Sequence, residues 1–176
     1  GRLFEEQLRI DPSHEFLGQR LNFWVAAVLF VGSTAFFVWW QFFRRPLPRT
    51  KGTIAVTGLE GSVRIARDRW GMPTVRAGSE ADVWFGQGFC HGQDRLWQCE
   101  VNRRLCAGRV AEIGGRAALP LDRLMRTLGL RRLALREEAA LDGGLRLLLD
   151  AYCAGLNEAA RVAPAPSAEF QLLRLE

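Results

Sequence analysis

No charged residue stands between Arg20 and Arg44 in "LNFWVAAVLFVGSTAFFVWWQFF", Leu21 to Phe43. As a helix this run is roughly 34 Å long, enough to cross the hydrocarbon core of a bilayer. Trp24 lies near one end and Trp39 and Trp40 near the other, where aromatic belts sit. A cleaved signal peptide would be shorter and followed by small residues at a cleavage site, and "VWWQFFRRP" offers none. The run therefore reads as an uncleaved signal anchor, a single-pass span in the cell (inner) membrane. A buried core helix is the alternative. Arg2, Arg9 and Arg20 precede the run, and Arg44, Arg45, Arg49 and Lys51 follow it, so flanking charge orients it only weakly. The region beyond it is expected to be extracytoplasmic.

The span divides the chain into a tail (1–20), the anchor (21–43), a Pro-containing linker (44–51) and an extramembrane region (52–176). The chain starts with Gly1 rather than Met and stops at Glu176 inside an apolar stretch, so it reads as a piece of a longer protein. In the extramembrane region, Thr53–Leu59, Ser62–Asp68 and Thr74–Ala77 carry alternating apolar residues such as Ile54, Val56, Val63 and Ile65. Turn residues separate them at Glu60-Gly61 and at Gly71 to Pro73. A small three-stranded antiparallel meander is expected.

Three helices should follow, giving an α+β class. The first runs from about 81 to 110, with Ser79 as its cap, Asp82 reaching back to it, and Gly114-Gly115 as its end. Gly86, Gly88 and Gly92 weaken this helix but permit close packing. The second, about 121 to 141, starts at Pro120, carries Leu124, Leu128 and Leu135, and stops at Asp142-Gly143-Gly144. The third, 145 to 161, turns Leu148, Leu149, Tyr152, Cys153 and Leu156 inward. "VAPAPSAEF" reads as a loop.

The net charge of +5 comes from 24 basic residues, of which only Lys51 is lysine. The arginines are spread along the chain and mixed with acids, as in "LREEAALD", so no basic face for nucleic acid emerges. Cys90, Cys99, Cys106 and Cys153 fit no zinc pattern, with no CxxC and two histidines. On one helix the first three lie too far apart to bridge. Cys153 could pair with one of them, but buried free thiols are the expectation.

The stretch Gly88–Gly115, "GFCHGQDRLWQCEVNRRLCAGRVAEIGG", mixes charges with large apolar groups. On a helical wheel Phe85, Phe89 and Leu96 fall within about 40° of one another, with Trp97, Val101 and Leu105 on a neighbouring stripe. Gln93, Glu100, Arg103 and Arg104 share that side, so this helix should be mostly buried. Buried charges must be paired. Glu100 can pair along the helix with Arg103 and Arg104, while Asp94 and Arg95 need partners elsewhere in the fold. Gln93, Asp94, Arg95, Glu100, Arg103 and Arg104 are read as a structural polar network. His91 has no partnered nucleophile in the sequence and reads as structural too.

The order of these pieces resembles the penicillin acylase family of N-terminal-nucleophile amide hydrolases. The resemblance runs from about Gly52 to Glu176. It rests on "VRIARDRWGMPTVRA", the long helix with its HxQDRLWQ-E-RR core, "LDRLMRTLGLRRLA", "LLLDAYCAGLNEA" and "APSAEFQLL". Thr74 departs from it, since the family often has His after the proline. The resemblance implies an αββα fold built from a self-cleaving precursor. Its β chain would be the partner of this chain and would start with the nucleophile, usually Ser. Small acyl-amide substrates are implied: penicillins, cephalosporin side chains or acyl-homoserine lactones. Calcium occurs in some members. Ser33, Ser62 and Ser79, each after a glycine, come too early to be that nucleophile. No catalytic, cofactor-binding or metal residue is carried over, and the chain alone is expected to be inactive. A truncated, non-catalytic membrane-anchored binding or scaffold protein is the competing expectation.

Overall fold

The computed structural model describes residues 15–16 and 19–175. Residues 1–14 and 17–18 of the expected tail lie outside the described residues. The chain forms two units, residues 1–44 and 45–176.

In the first unit, β1 (Glu15–Phe16) and β2 (Gln19–Arg20) form an antiparallel pair. They lead into α1 (Leu21–Trp39), which continues as a wider π-helical turn, Trp40–Arg44. From Phe23 to Arg44 the helix is long and apolar enough to cross a membrane, and none of its side chains is buried. Phe30 and Val28 are about 70% exposed, at 71% and 69%.

The second unit begins with an extended segment and a hairpin, β3 (Arg64–Arg67) and β4 (Pro73–Arg76), with Ile65 opposite Val75. Asp68 shapes the turn: its Oδ1 accepts from the Trp70 N–H at 2.8 Å and the Met72 N–H at 2.9 Å. Gly71 sits at φ 82°, a conformation that suits glycine. The first expected strand, Thr53–Leu59, does not form. Ile54, Val56 and Leu59 do pack on the core as the alternation implied. No neighbouring strand meets them, and the Thr57 amide donates to Glu158 at 3.0 Å instead.

α2 (Glu80–Ala107) and α6 (Gly143–Val162) make the core. They touch backbone to backbone through glycines. A Cβ on Gly88 would lie 2.0 Å from the Tyr152 carbonyl oxygen, and one on Gly155 2.0 Å from that of Phe85. No side chain fits there, so the glycines that weaken α2 locally are what let it pack. Phe85, Phe89 and Ala159 close the core beside this crossing. The β-hairpin lies on the same helix, with Val75 where a side chain of Gly86 would stand.

Several elements differ from the sequence expectations. α2 ends at Gly108 (φ 63°, ψ 47°), not at Gly114-Gly115. The Arg109 amide reaches back to the Arg104 carbonyl at 2.8 Å, which closes the helix end. A short helix α3 (Ala111–Gly114) and a tighter 3₁₀ turn (Gly115–Ala118) follow. The second expected helix is two helices, α4 (Leu119–Leu128) and α5 (Leu130–Ala140), because Gly129 adopts φ 72° between them. Asp142 does more than stop the preceding helix: its carboxylate accepts the Leu145 amide at 2.9 Å and starts α6. Along α6 the buried positions are Gly155, Glu158 and Ala159, while Leu149 and Cys153 are exposed. The segment expected as a loop, Val162 to Phe170, turns helical at its end, where α7 (Ala168–Leu173) begins. The cysteines are free, but only Cys90 is buried, and Cys106 and Cys153 are exposed.

Candidate functional site

α2 is not buried along its whole length. Its first half holds the buried residues Asp82, Phe85, Gly86, Gly88, Phe89, Cys90 and Gly92. At Arg95 the backbone leaves helical geometry (φ −142°, ψ 23°), and beyond this kink Leu96, Trp97, Val101 and Leu105 are only half-buried. The kink separates two polar clusters. A cleft of about 940 Å³ lies along this second half, and Gln93, Asp94, Arg95, Glu100 and Arg103 line it. Trp97 and Phe170 meet edge to face in its wall, 5.8 Å between centroids.

The first cluster ties α2 to the hairpin. The Arg67 guanidinium donates to Asp94 at 2.8 Å, to Gln93 at 3.1 Å and to the Gly71 carbonyl at 3.1 Å. Gln93 in turn donates to the Arg49 carbonyl at 3.0 Å. Arg67 thus joins the hairpin turn, the preceding extended segment and the start of the kink. Among the described residues Arg95 finds its side-chain partner on the same helix rather than elsewhere in the fold, donating to Gln98 at 2.9 Å.

The second cluster ties the end of α2 to α3. Glu100 receives two bonds from Arg103, both 2.8 Å, and one from Arg104 at 2.6 Å. Arg104 also pairs with Glu112, which receives Arg109 as well, at 2.6 and 3.0 Å. Hydrogen bonding to Arg103 is the largest cause holding the Glu100 carboxyl below the usual carboxylate range. Arg109 does the same for Glu112. Arg104 is the buried member, while the Arg103 side chain is 60% exposed. The order of contacts therefore joins Gln93 with Asp94, and Glu100 with Arg103 and Arg104, as two separate groups.

Three buried carboxylates complete the site, and sequence reasoning gave them no such part. Asp82 accepts the backbone amides of Glu60 and Gly61, both at 2.9 Å, so it pins the loop before β3 rather than reaching back to the cap. Ser79 does cap α2, its hydroxyl accepting the Asp82 amide at 3.1 Å. Asp122 accepts the amides of Val110 and Ala111 at 2.7 and 2.9 Å. Glu158 accepts the Thr57 amide and two bonds from Arg161, at 2.5 and 2.7 Å. Arg161 first, with the Thr57 amide adding to it, lowers the Glu158 carboxyl to about 2. Glu158 and Arg161 sit three apart on one helix face, a spacing that signals the pair. Asp122 and Asp82 carry no such signal, because their partners are backbone amides of loops.

These groups are matched by one another, which suits a structural junction rather than an acid–base centre. Among the described residues, His91 meets the Tyr152 hydroxyl, 2.8 Å from Nδ1, and no serine, threonine or cysteine. Burial pushes the Cys90 thiol up, away from reactive thiolate. Among the described residues, no group of three or more His, Cys, Asp or Glu is placed to hold a metal ion.

The sequence model of the family described as penicillin amidase matches residues 62–176. The chain belongs to the penicillin amidase family. It is 42% identical over 131 residues to a penicillin acylase 2 proenzyme of Pseudomonas sp. (strain SE83), covering 74% of this chain and 17% of that protein. It is 38% identical over 111 residues to the acyl-homoserine lactone acylase QuiP of Pseudomonas aeruginosa, covering 63% of this chain and 13% of that protein. In structure it resembles a thermostable penicillin G acylase from Alcaligenes faecalis, with TM-score 0.55 and 30% identity over 64% of this chain and 62% of that one. The chain thus spans less than a fifth of the curated relatives it matches.

Proposed function

We propose that this chain is the amino-terminal part of a membrane-anchored, penicillin-acylase-type amidohydrolase that cleaves an acyl-amide bond after self-processing of a precursor. The match over residues 62–176, with 42% identity to a penicillin acylase 2 proenzyme, carries this reading. The nucleophile would be the first residue of a β chain, Ser, Cys or Thr. Its own α-amine would act as base toward the acyl carbonyl. The chain's contribution is then positional. Of the motif residues, Gln93 and Asp94 hold α2 to the hairpin, Arg104 holds its end to α3 with Glu100 bracing it, and Arg95 and Arg103 pair within α2. The half-covered Trp97, Val101 and Leu105 would be packed by the β chain in the complete αββα fold. A membrane span through residues 21–43 is supported by the length and exposure of α1; the inner membrane, with residues 52–176 outside the cytoplasm, is part of the same proposal.

Intact-mass measurement of the protein from its native host tests the reading. The expected result is this chain with a covalently separate partner beginning with Ser, Cys or Thr. The purified pair should release the acyl group from a penicillin, a cephalosporin side chain or an acyl-homoserine lactone, and this chain by itself should release none. A chain found alone, without a partner or activity, would sink the acylase reading in favour of a non-catalytic scaffold.

A further inference from the structure

The Pro-containing linker that opens the second unit is not a free connector. Pro46 and Pro48 are half-buried, while Arg45, Leu47 and Arg49 are exposed. Both prolines and Arg49 line the cleft along the second half of α2. Proline has no N–H, so the stretch rests there without stranding a donor. Gln93 fixes its end. The Arg67 guanidinium donates to Gln93 Oε1 at 3.1 Å, and Gln93 Nε2 donates to the Arg49 carbonyl at 3.0 Å. A guanidinium offers only donors, so the amide oxygen must face Arg67, which turns the amide nitrogen toward the linker. Arg67 is itself braced by Asp94 at 2.8 Å and by the Gly71 carbonyl at 3.1 Å. Gln93 thus spends its acceptor on the hairpin and its donor on the linker backbone.

We propose that Gln93 is a latch that docks the linker onto α2 just before its kink and so sets the length of the tether between the two units. Beyond the linker, Ile54 is the first residue packed on the core. Fully extended, the chain from Arg44, the last residue of the first unit, reaches roughly 35 Å to Ile54 but only roughly 17 Å to Arg49. Fastening Arg49 therefore halves the free reach. The consequence rests on the membrane-anchor reading of α1: the second unit is carried close to the end of the span rather than on a loose tether.

Lys51 is the single lysine of the chain, so lysyl endopeptidase has one bond to cut, Lys51–Gly52, just past the latched carbonyl. The protease must draw the flanking residues into its own cleft, so the rate of cutting follows the population in which the linker is released. The full chain is digested in mild detergent at neutral pH and at low protease concentration, and the products are read by intact mass. Gln93→Glu keeps an acceptor for Arg67 but has no N–H for the Arg49 carbonyl. It should speed the cut about fivefold, the worth of one such hydrogen bond. Amide exchange at Trp70 and Met72 in the hairpin turn should stay as in the wild type. Asp94→Asn weakens the brace on Arg67 and leaves the donor of Gln93 in place, so it should not speed the cut. An unchanged rate in Gln93→Glu overturns the proposal. A faster cut that comes with faster exchange at Trp70 and Met72, or an equal gain in Asp94→Asn, also overturns it, because a loosened hairpin then explains the release. Carbonate extraction reports separately on α1. If carbonate strips the chain from membranes, the anchor reading falls on its own, and the cleavage rates still decide the latch.

Discussion

α1 and α2 are both long helices, and their roles invert what their compositions suggest. α1 is apolar throughout and leaves its side chains uncovered. α2 carries glycines, acids and arginines, yet its first half is the centre of the core. Apolarity alone does not select the core helix. Shape does: α2 can approach α6 to backbone contact because Gly88 and Gly155 have no side chains. Buried carboxylates then fasten the loops around that crossing, which replaces the strand partners the extended segment lacks.

The largest expected effect tests that inversion directly. Gly88→Val should cost about 3 kcal/mol or more, because its Cβ has no space against Tyr152. Gly32→Val in α1 meets no heavy atom within 4 Å and should leave the stability of the second unit unchanged. Urea unfolding in mild detergent, read by circular dichroism, measures both. Equal losses from the two substitutions would mean that α1 is packed like α2 and would end the comparison.

The next effect concerns the far end of α2. Asp122→Ala strands the part-buried amides of Val110 and Ala111, at up to about 1–3 kcal/mol for each unsatisfied donor. A loss near 3 kcal/mol, with faster amide exchange confined first to α3, is expected. A loss below about 0.5 kcal/mol would show that water reaches those amides and that the carboxylate is not the clamp.

Much of this arrangement was legible in the sequence, and the limits are physical. α1 and α6 follow from an uncharged run and an amphipathic stretch, signals carried within one segment, though the Asp142 cap of α6 was read only as a stop and Leu149 and Cys153 do not turn inward. The Glu100 pairs with Arg103 and Arg104 follow from helical spacing. The break at Gly129 was hidden because leucines continue on both sides, and only the backbone angle shows that the helix stops there. The loss of the expected first strand was hidden because alternation records which side chains point inward, not whether a neighbouring strand is present. Asp82, Asp122 and Glu158 bind amides far along the chain, across 21, 12 and 101 positions, so no local pattern marks them.

Glu158 sharpens the comparison through pH. Its carboxyl is lowered from 4.5 to about 2 when folded, by Arg161 first and then with the Thr57 amide. A depressed carboxyl adds stability that is complete above the unfolded value and is lost as pH falls through the folded one. The second unit should therefore weaken between about pH 4.5 and pH 2. Arg161 is well exposed, so solvent screening leaves about 1–2 kcal/mol of this term. Glu158→Gln should flatten that part of the profile. α1 titrates no such group, and its helicity should not change over the same range. A wild-type profile parallel to that of Glu158→Gln would remove the clamp from the account.

The smallest effect lies on the second half of α2, where the helix is half-covered. Arg103 is mostly exposed, and Glu100 keeps Arg104 at 2.6 Å when Arg103 is removed. Arg103→Ala should then cost less than about 1 kcal/mol, as exposed ion pairs do. It should also let the Glu100 carboxyl rise toward its ordinary range, because Arg103 is the main cause of its depression. Carboxyl-carbon NMR titration reads that rise, and urea midpoints read the cost. A cost near 3 kcal/mol would place Arg103 in a buried network and make this half of α2 as tightly held as the glycine crossing. The contrast within α2 would then fail, and with it the view that this half is kept loosely covered until a second chain packs on it.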